Sequence, residues 1–462
     1  MLPTKVVVVG AGSSSFGLNT IASLLNSERL DGSHIALVDL NAEALDKMTR
    51  LARRLNRDWS AGMEISAHTK CREALDGAEF VISSIEVGPR EELWRSDFEI
   101  PLQYGVRQPY AENGGPGGFA HAARNIGPVL KIAHDMEEHC PDAWFINFTN
   151  PMIRICDAIA RYSTVKVVGL CHQIKAGYGM VGFALAGDLG IEIPEGELST
   201  HADRKIWARL NEIVDQAMEL VEIRAAGLNH FTWMLSLHDR QTGADLYPLF
   251  ADRFFETDPG FEPLTHRVYD IFGCFPIPGD EHLCEYLPWL SDPQTKPWEK
   301  YDISLYDWNL ASKRRDRGFD DIEKMVQGEK DTQHLQEVHS EGAVELVESI
   351  ASASPRYHRA INRPNEGYIP NLPENAIVEV PGLVDGAGVH GVGVGNLPPS
   401  VAELCRRELE VVRLCVDAAA HGDRQAALQC LLLDPVITDL DVAKDILDDY
   451  LNAYREYLPQ FW

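Results

Sequence analysis

The feature that most narrows the fold is Gly10-Ala11-Gly12-Ser13-Ser14-Ser15-Phe16-Gly17, set directly after the apolar run Lys5–Val9. A strand that ends in closely spaced glycines and continues into a helical pattern, here Phe16–Leu25, is the context of a dinucleotide-binding turn. The glycines let the backbone turn tightly and approach a pyrophosphate, while the helix start offers N–H groups and partial positive charge. The third glycine comes one place later than in the general G-x-G-x-x-G spacing. Asp39 closes the second apolar run 22 residues beyond Gly17, where a carboxylate accepts ribose hydroxyls and repels a 2′-phosphate. NAD is therefore expected over NADP, with Gly10, Gly12, Ser13, Ser14, Phe16, Gly17 and Asp39 as contacts. A glycine turn without any cofactor is the plainer alternative.

The alternation continues down the chain. His34–Asp39, Phe80–Ile85, Ala143–Phe148 and Val165–Leu170 read as further strands, and Ala42–Leu55, Gly118–Glu138 and Met152–Tyr162 as helices. Such βαβ repetition predicts a mostly parallel sheet. After Pro194 the pattern shifts to longer helices, such as Ile206–Val221 and Val401–Ala420, between aromatic and proline-rich loops. The expected fold class is α/β, with a Rossmann-type N-terminal domain over residues 1–194 joined to an α+β C-terminal catalytic domain over 195–462. The second domain would carry substrate, metal and oligomer contacts. Leu290–Asp320, weakly periodic and rich in Asp, Lys, Trp and Arg, reads as a long surface loop or lid.

Composition excludes several other classes. The 462 residues exceed what a single core usually holds. A net charge of -28 without any long basic run argues against a nucleic-acid or anionic-membrane surface. Nine cysteines without paired spacing fit neither a disulfide framework nor a zinc ribbon, and suit a reducing compartment. No stretch approaches the roughly 18 apolar residues that span a bilayer. A cytoplasmic location is expected.

Downstream motifs specify more. Glu112-Asn113-Gly114-Gly115-Pro116-Gly117-Gly118, Asn147-Phe148-Thr149-Asn150-Pro151-Met152, Gly169-Leu170-Cys171-His172-Gln173 and Gly227-Leu228-Asn229-His230-Phe231 follow the glycine turn in that order. Ile369-Pro370-Asn371-Leu372-Pro373 and Val378-Glu379-Val380-Pro381 come near the end. Together they resemble glycoside hydrolase family 4 and the related NAD-dependent sulfoquinovosidases, nearly end to end. The resemblance implies a redox-assisted elimination that departs from two-carboxylate hydrolysis. C3 is oxidised by NAD, the C2 proton is removed, the C1 substituent leaves, water adds and C3 is re-reduced, so no net NADH accumulates.

The resemblance also implies site residues. Cys171 and His230 match the family's manganese ligands, although a thiolate and an imidazole suit zinc or iron equally by ligand preference. The metal would polarise the C3 carbonyl. His172 matches a general acid of some members, or a residue that binds substrate hydroxyls. Cys171-His172-Gln173 points to a sugar without a 6-phosphate. The base is expected in Gly279–Tyr286, with Asp280 and His282 as candidates. Asn147 and Asn150 are placed against the nicotinamide ribose or sugar hydroxyls, Glu86 against the cofactor, and Glu112 and Asn113 against substrate. Lys175 is expected near C6, where Arg90, Arg95 and Arg124 offer the same charge to a carboxylate or sulfonate. The expected substrate is a nonphosphorylated, α-linked hexoside, with a sulfoquinovoside or uronide favoured over a neutral α-galactoside or α-glucoside. An NAD-dependent sugar or hydroxy-acid dehydrogenase and a noncatalytic nucleotide sensor are the competing readings. Homodimers or homotetramers are usual in the family.

Overall fold

The computed structural model describes residues 3–193 and 204–462. It opens as the sequence indicates, on β1 (Lys5–Val9), whose four valines are all buried. Around it lie β2 (His34–Val38), β3 (Glu64–His68), β4 (Phe80–Ser83), β5 (Trp144–Asn147) and β6 (Lys166–Gly169), in the order β3-β2-β1-β4-β5-β6. Every pairing among these six is parallel. A parallel sheet is covered by helices on both faces, so its central strands must be apolar throughout, and β4 and β5 are buried at every position. The helix Ala42–Asp58 starts where Asn41 accepts hydrogen bonds from the backbone of Glu43 and Ala44, both at 3.1 Å.

The sheet continues past β6. Five later strands, β7 (Val221–Leu228), β8 (Phe231–Asp239), β9 (Phe275–Pro276), β10 (Arg356–Pro364) and β11 (Ile377–Asp385), extend it in the order β6-β10-β11-β7-β8-β9. A short β12 (Gly388–Gly391) pairs with β11, and the result is one 12-stranded sheet. All of these later pairings are antiparallel. The strands latest in sequence thus sit in the middle, between β6 and β7. A large core runs under the parallel half and the C-terminal helices. A smaller one, built on Tyr178, Ile213, Phe250, Phe254 and Phe275, supports the far end.

The domain boundary expected at residues 194 and 195 lies outside the described residues. Two expectations need correction. The edge strand β3, with Glu64 and Ala67 exposed and Ile65, Ser66 and His68 half-buried, carries no apolar run and was not among the expected strands. Within Leu290–Asp320, the expected loop instead starts a 20-residue helix, Trp308–Gln327, whose N-cap Asp307 accepts from Leu310 N at 2.9 Å and which stops at Gly328 in the left-handed region. No described helix is long and apolar enough to cross a membrane.

Candidate active site

The glycine turn is tightly constrained. Gly10 has φ +86° and faces the Ser84 carbonyl, which leaves no room for a side chain. A Cβ at Gly17 would stand 2.5 Å from Ala11 O, and one at Gly12 2.7 Å from Asp39 Oδ2. Asp39 uses that oxygen to accept from Gly12 N at 2.8 Å and the other to accept from Asn41 N at 2.8 Å, so the acidic strand end and the glycine turn hold each other. Ser13 N donates to Gly10 O at 3.2 Å, Ser14 Oγ donates to Arg315 O at 3.4 Å, and the Phe16 ring lies 4.6 Å from that of Phe148. Glu86 accepts from Asn125 Nδ2 at 3.1 Å and lies 3.1 Å from His121 Nε2. Burial works against its charge, but the His121 and Arg90 cations and the Asn125 amide hold its carboxyl down at about 2. Asn147 departs from the cofactor contact expected of it: fully buried, its side chain closes a turn onto Thr149 through Thr149 N and Thr149 O.

Cys171 follows β6 and His230 sits in the turn between β7 and β8, on a left-handed backbone of φ +61°. Their Sγ and Nε2 atoms lie 3.4 Å apart. These are carboxyl ends of strands that β10 and β11 hold apart, and the gap is bridged by Glu379, whose Oε2 accepts from Asn229 Nδ2 at 2.7 Å and Asn362 Nδ2 at 2.8 Å. Burial, with Glu341 and Glu379, pushes the Cys171 thiol up, and burial, with His282 and His172, holds His230 well below the usual imidazole range. A neutral imidazole beside a protonated thiol suits a cation, which takes a lone pair from one and displaces the proton of the other.

The His282 ring stacks on His230 at 4.1 Å and 13°. Burial disfavours its charge, yet Glu285, Glu281 and Glu112 outweigh that and raise it to about 9. Asp280 is corrected: fully buried, its carboxylate accepts from Leu264 N at 2.8 Å and from Thr265 N and Oγ1 at 2.7 Å each. It therefore caps the helix Pro263–Phe272 rather than facing a reacting carbon.

Glu112 and Asn113 are buried at the same place. Arg90 Nη2 donates to Glu112 Oε1 at 2.9 Å, and Asn113 Nδ2 to Glu112 Oε2 at 3.1 Å. The successive N–H groups of Glu112, Asn113 and Gly114 converge on Glu285 Oε2 at 2.8, 2.7 and 3.2 Å. Glu285 was not among the expected site residues, although its spacing from His282 puts both on one helical face. Asn150 precedes a cis proline and stands half-buried, its carbonyl 3.5 Å from Asn125 Nδ2.

A cleft of about 580 Å³ opens beside this group, lined by His172, Lys175, Glu281, His282, His339 and Glu341 among others. Of the cations expected near C6, Arg124 is spent in a buried two-bond pair with Asp97 at 2.7 and 2.6 Å. Arg95 reaches Asn309 at 2.8 Å and Arg90 is held by Glu112. Lys175, in the first turn of the helix Ile174–Ala184, has no ion pair among the described residues.

A glycine turn at the end of a parallel strand, with a thiol and an imidazole meeting at the carboxyl ends of β6 and β7, is the arrangement of an α/β enzyme. The chain belongs to family 4 of the glycosyl hydrolases: the family's own domain matches residues 5–181 and its C-terminal domain residues 225–437. It is 31% identical to an alpha-glucosidase of Erwinia rhapontici over 99% of both chains. An alpha-galacturonidase of Thermoanaerobacterium saccharolyticum is 27% identical over 98% of this chain and 96% of its own. The fold is also that of a 6-phospho-alpha-glucosidase from gut microorganisms solved with NAD and Mn2+, at 21% identity, a TM-score of 0.79 and full coverage of both chains.

Proposed function

We propose that this glycoside hydrolase uses NAD and Mn2+ to cleave a nonphosphorylated, α-linked hexoside carrying an acidic group at C6, a uronide or a sulfoquinovoside. The observation that carries the reading is the Cys171–His230 pair at 3.4 Å beside a cleft on the glycine-turn side of the sheet. The Gly10–Gly17 turn would hold the cofactor's pyrophosphate, with Asp39 on its ribose and Glu86 nearby, and Cys171 and His230 would hold the metal. Once bound, the two supply reversible oxidation at C3 and polarisation of its oxygen, which makes the C2 proton acidic enough to be lost as the C1 substituent departs.

The chain's own groups do the rest. His282, in its neutral form, takes the C2 proton, since the Asp280 carboxylate is occupied by the helix it caps; because its neighbouring carboxylates raise it to about 9, turnover should climb as pH rises toward that value. His172, exposed at the cleft, serves the leaving oxygen. Glu112, Asn113 and Asn150 hold sugar hydroxyls, and Lys175 meets the acidic C6 group. Lys175, without an ion pair among the described residues, together with the kinship to an alpha-galacturonidase, supports the anionic substrate. A neutral α-glucoside or α-galactoside is the second reading, favoured by the likeness to an alpha-glucosidase. We place the protein in the cytoplasm and read it as a homodimer or homotetramer, the oligomer being supported by the exposed Ile271, Trp289 and Phe255. Functionally we divide it near residue 194, so that each part contributes one metal ligand.

The test is a panel of aryl glycosides, neutral, uronide and sulfoquinovoside, assayed with and without NAD+, Mn2+ and chelator in D2O. Hydrolysis that requires both additions, places deuterium at C2 and is fastest on acidic glycosides is expected. Turnover indifferent to NAD+ and Mn2+, or an unlabelled C2, overturns the chemistry. Equal rates on neutral and acidic sugars overturn only the role of Lys175. Accumulation of NADH would mark a dehydrogenase.

A further inference from the structure

We propose that Glu341 is the positioning residue of His172, fixing which ring nitrogen faces the substrate. The inference rests on the reading of His172 as a residue that acts on the glycoside. His172 is the most exposed polar group next to the Cys171–His230 pair, with 62% of its side chain accessible, so packing alone does not hold its ring. What meets it is a carboxylate: Glu341 Oε2 lies 2.9 Å from Nδ1. A carboxylate at this ion-pair distance from one ring nitrogen favours, by its charge, the tautomer with the proton on that side, which leaves Nε2 for the cleft.

Glu341 is delivered by an unusual stretch of backbone. It has φ +54°, and Gly342 after it has φ +96°, two left-handed residues in succession that swing the chain into the helix Ala343–Ala351. For a glutamate this conformation costs free energy, and it persists only where the surroundings impose it. Buried Ser340 does so on one side by accepting from Val344 N at 2.9 Å. On the other side the strap is held by the helix that follows the glycine turn. Ser23 Oγ donates to Val338 O at 3.2 Å, and Asn26 Nδ2, at the end of that helix, donates to Gln336 O at 3.0 Å. The element expected to bind the cofactor therefore also sets the height of the carboxylate that orients His172. Sequence alone shows none of this, because 169 positions separate the two residues.

The experiment uses the full-length protein and two independent readouts. Long-range ¹H–¹⁵N spectra of histidine-labelled protein, taken at a pH where the ring is neutral and assigned through His172→Gln, should show the proton of His172 on Nδ1. Glu341→Ala should move it to Nε2, and Glu341→Gln, whose amide oxygen still accepts, should retain it on Nδ1. In turnover, Glu341→Ala should lower kcat by about 10- to 100-fold with little change in KM or in NAD+ affinity, and Glu341→Gln should recover most of the loss. In a His172→Ala background, Glu341→Ala should cost nothing further. An unchanged His172 tautomer, or an equal loss of kcat in the His172→Ala background, overturns the proposal. If no glycoside is turned over at all, the tautomer measurement still decides the role of Glu341, while the functional reading falls separately.

Discussion

The two halves of the sheet are joined in different ways. From β3 to β6 each neighbour pairs along four or five consecutive residues, all parallel, as in Val6↔Ile35 through Val9↔Val38. At the entry to the second half the backbone register narrows to Asn362↔Gly169 between β10 and β6, and to Glu379↔Gly227 between β11 and β7. Side chains take over at those seams: Asn362 Nδ2 and Asn229 Nδ2 both donate to Glu379, all three buried. The parallel half is thus a frame made by main-chain ladders, whereas Cys171 and His230 face each other across a seam tied together by a few polar side chains. A frame of the first kind tolerates change at its strand ends, while the second depends on single residues.

Four substitutions put this contrast to work. The largest effect is expected from Cys171→Ser, which removes the thiolate: glycoside turnover should fall about a thousandfold while NAD+ affinity, measured by fluorescence titration, stays within error. Loss of NAD+ binding in that variant would show that the halves are not separable. Second is Glu408→Gln at the junction of the C-terminal helices with Arg154. Burial, with Asp434 and against Arg154, pushes the Glu408 carboxyl up to about 7. Because its folded value lies above its unfolded one, its contribution is fully present below the unfolded value, near pH 4.5, and is lost as pH rises through about 7. The wild-type protein should lose about 3 kcal/mol relative to the variant across that window, read as a pH-dependent difference in unfolding midpoints. A constant difference would assign the pair no titration.

Third, Glu379→Ala should cost about 2 kcal/mol, because two buried amides lose their acceptor, and it should weaken Mn2+ binding more than NAD+ binding. Equal loss of both ligands would erase the distinction between ladder and stitch. The smallest effect is expected from Asp39→Ser, which relaxes the preference for NAD+ over NADP+ by about tenfold in binding titrations without altering Mn2+ affinity. An unchanged preference would mean that Asp39 serves only the backbone of Gly12 and Asn41.

This difference also explains what was legible in the sequence. Strands β1, β2, β4, β5 and β6 and the helices Phe16–Leu25 and Met152–Tyr162 are local patterns, apolar runs and helical periodicity, and they read correctly to within two residues at each end. The insertion of β10 and β11 between β6 and β7 is a pairing across nearly two hundred residues and leaves no local trace. Cys171, His230 and His282 could be named from motifs, and the fold brings them together. Glu341 could not, since nothing around Ser340-Glu341-Gly342 marks it. Asp280 and Asn147 were misread for one reason: an acceptor next to a glycine or a turn reads the same whether it serves a ligand or its own backbone. Arg124 shows the same ambiguity for a cation, because Asp97 lies 27 positions away.

The placement of β10 and β11 has a consequence for biosynthesis. A nascent chain that has emerged through His282 already carries the glycine turn, both proposed metal ligands and the cleft residues His172, Lys175, Glu281 and His282, though not His339 and Glu341. It lacks the two strands that belong between β6 and β7. The N-terminal frame can close on itself during translation, since its strands are neighbours in sequence as well as in space. Because β10 and β11 lie between β6 and β7, Cys171 and His230 are expected to reach their final separation only after Ile377–Asp385 has left the ribosome. Truncated chains ending before Arg356 should therefore hold a dinucleotide without forming a metal centre, so a prematurely terminated product would remain chemically silent.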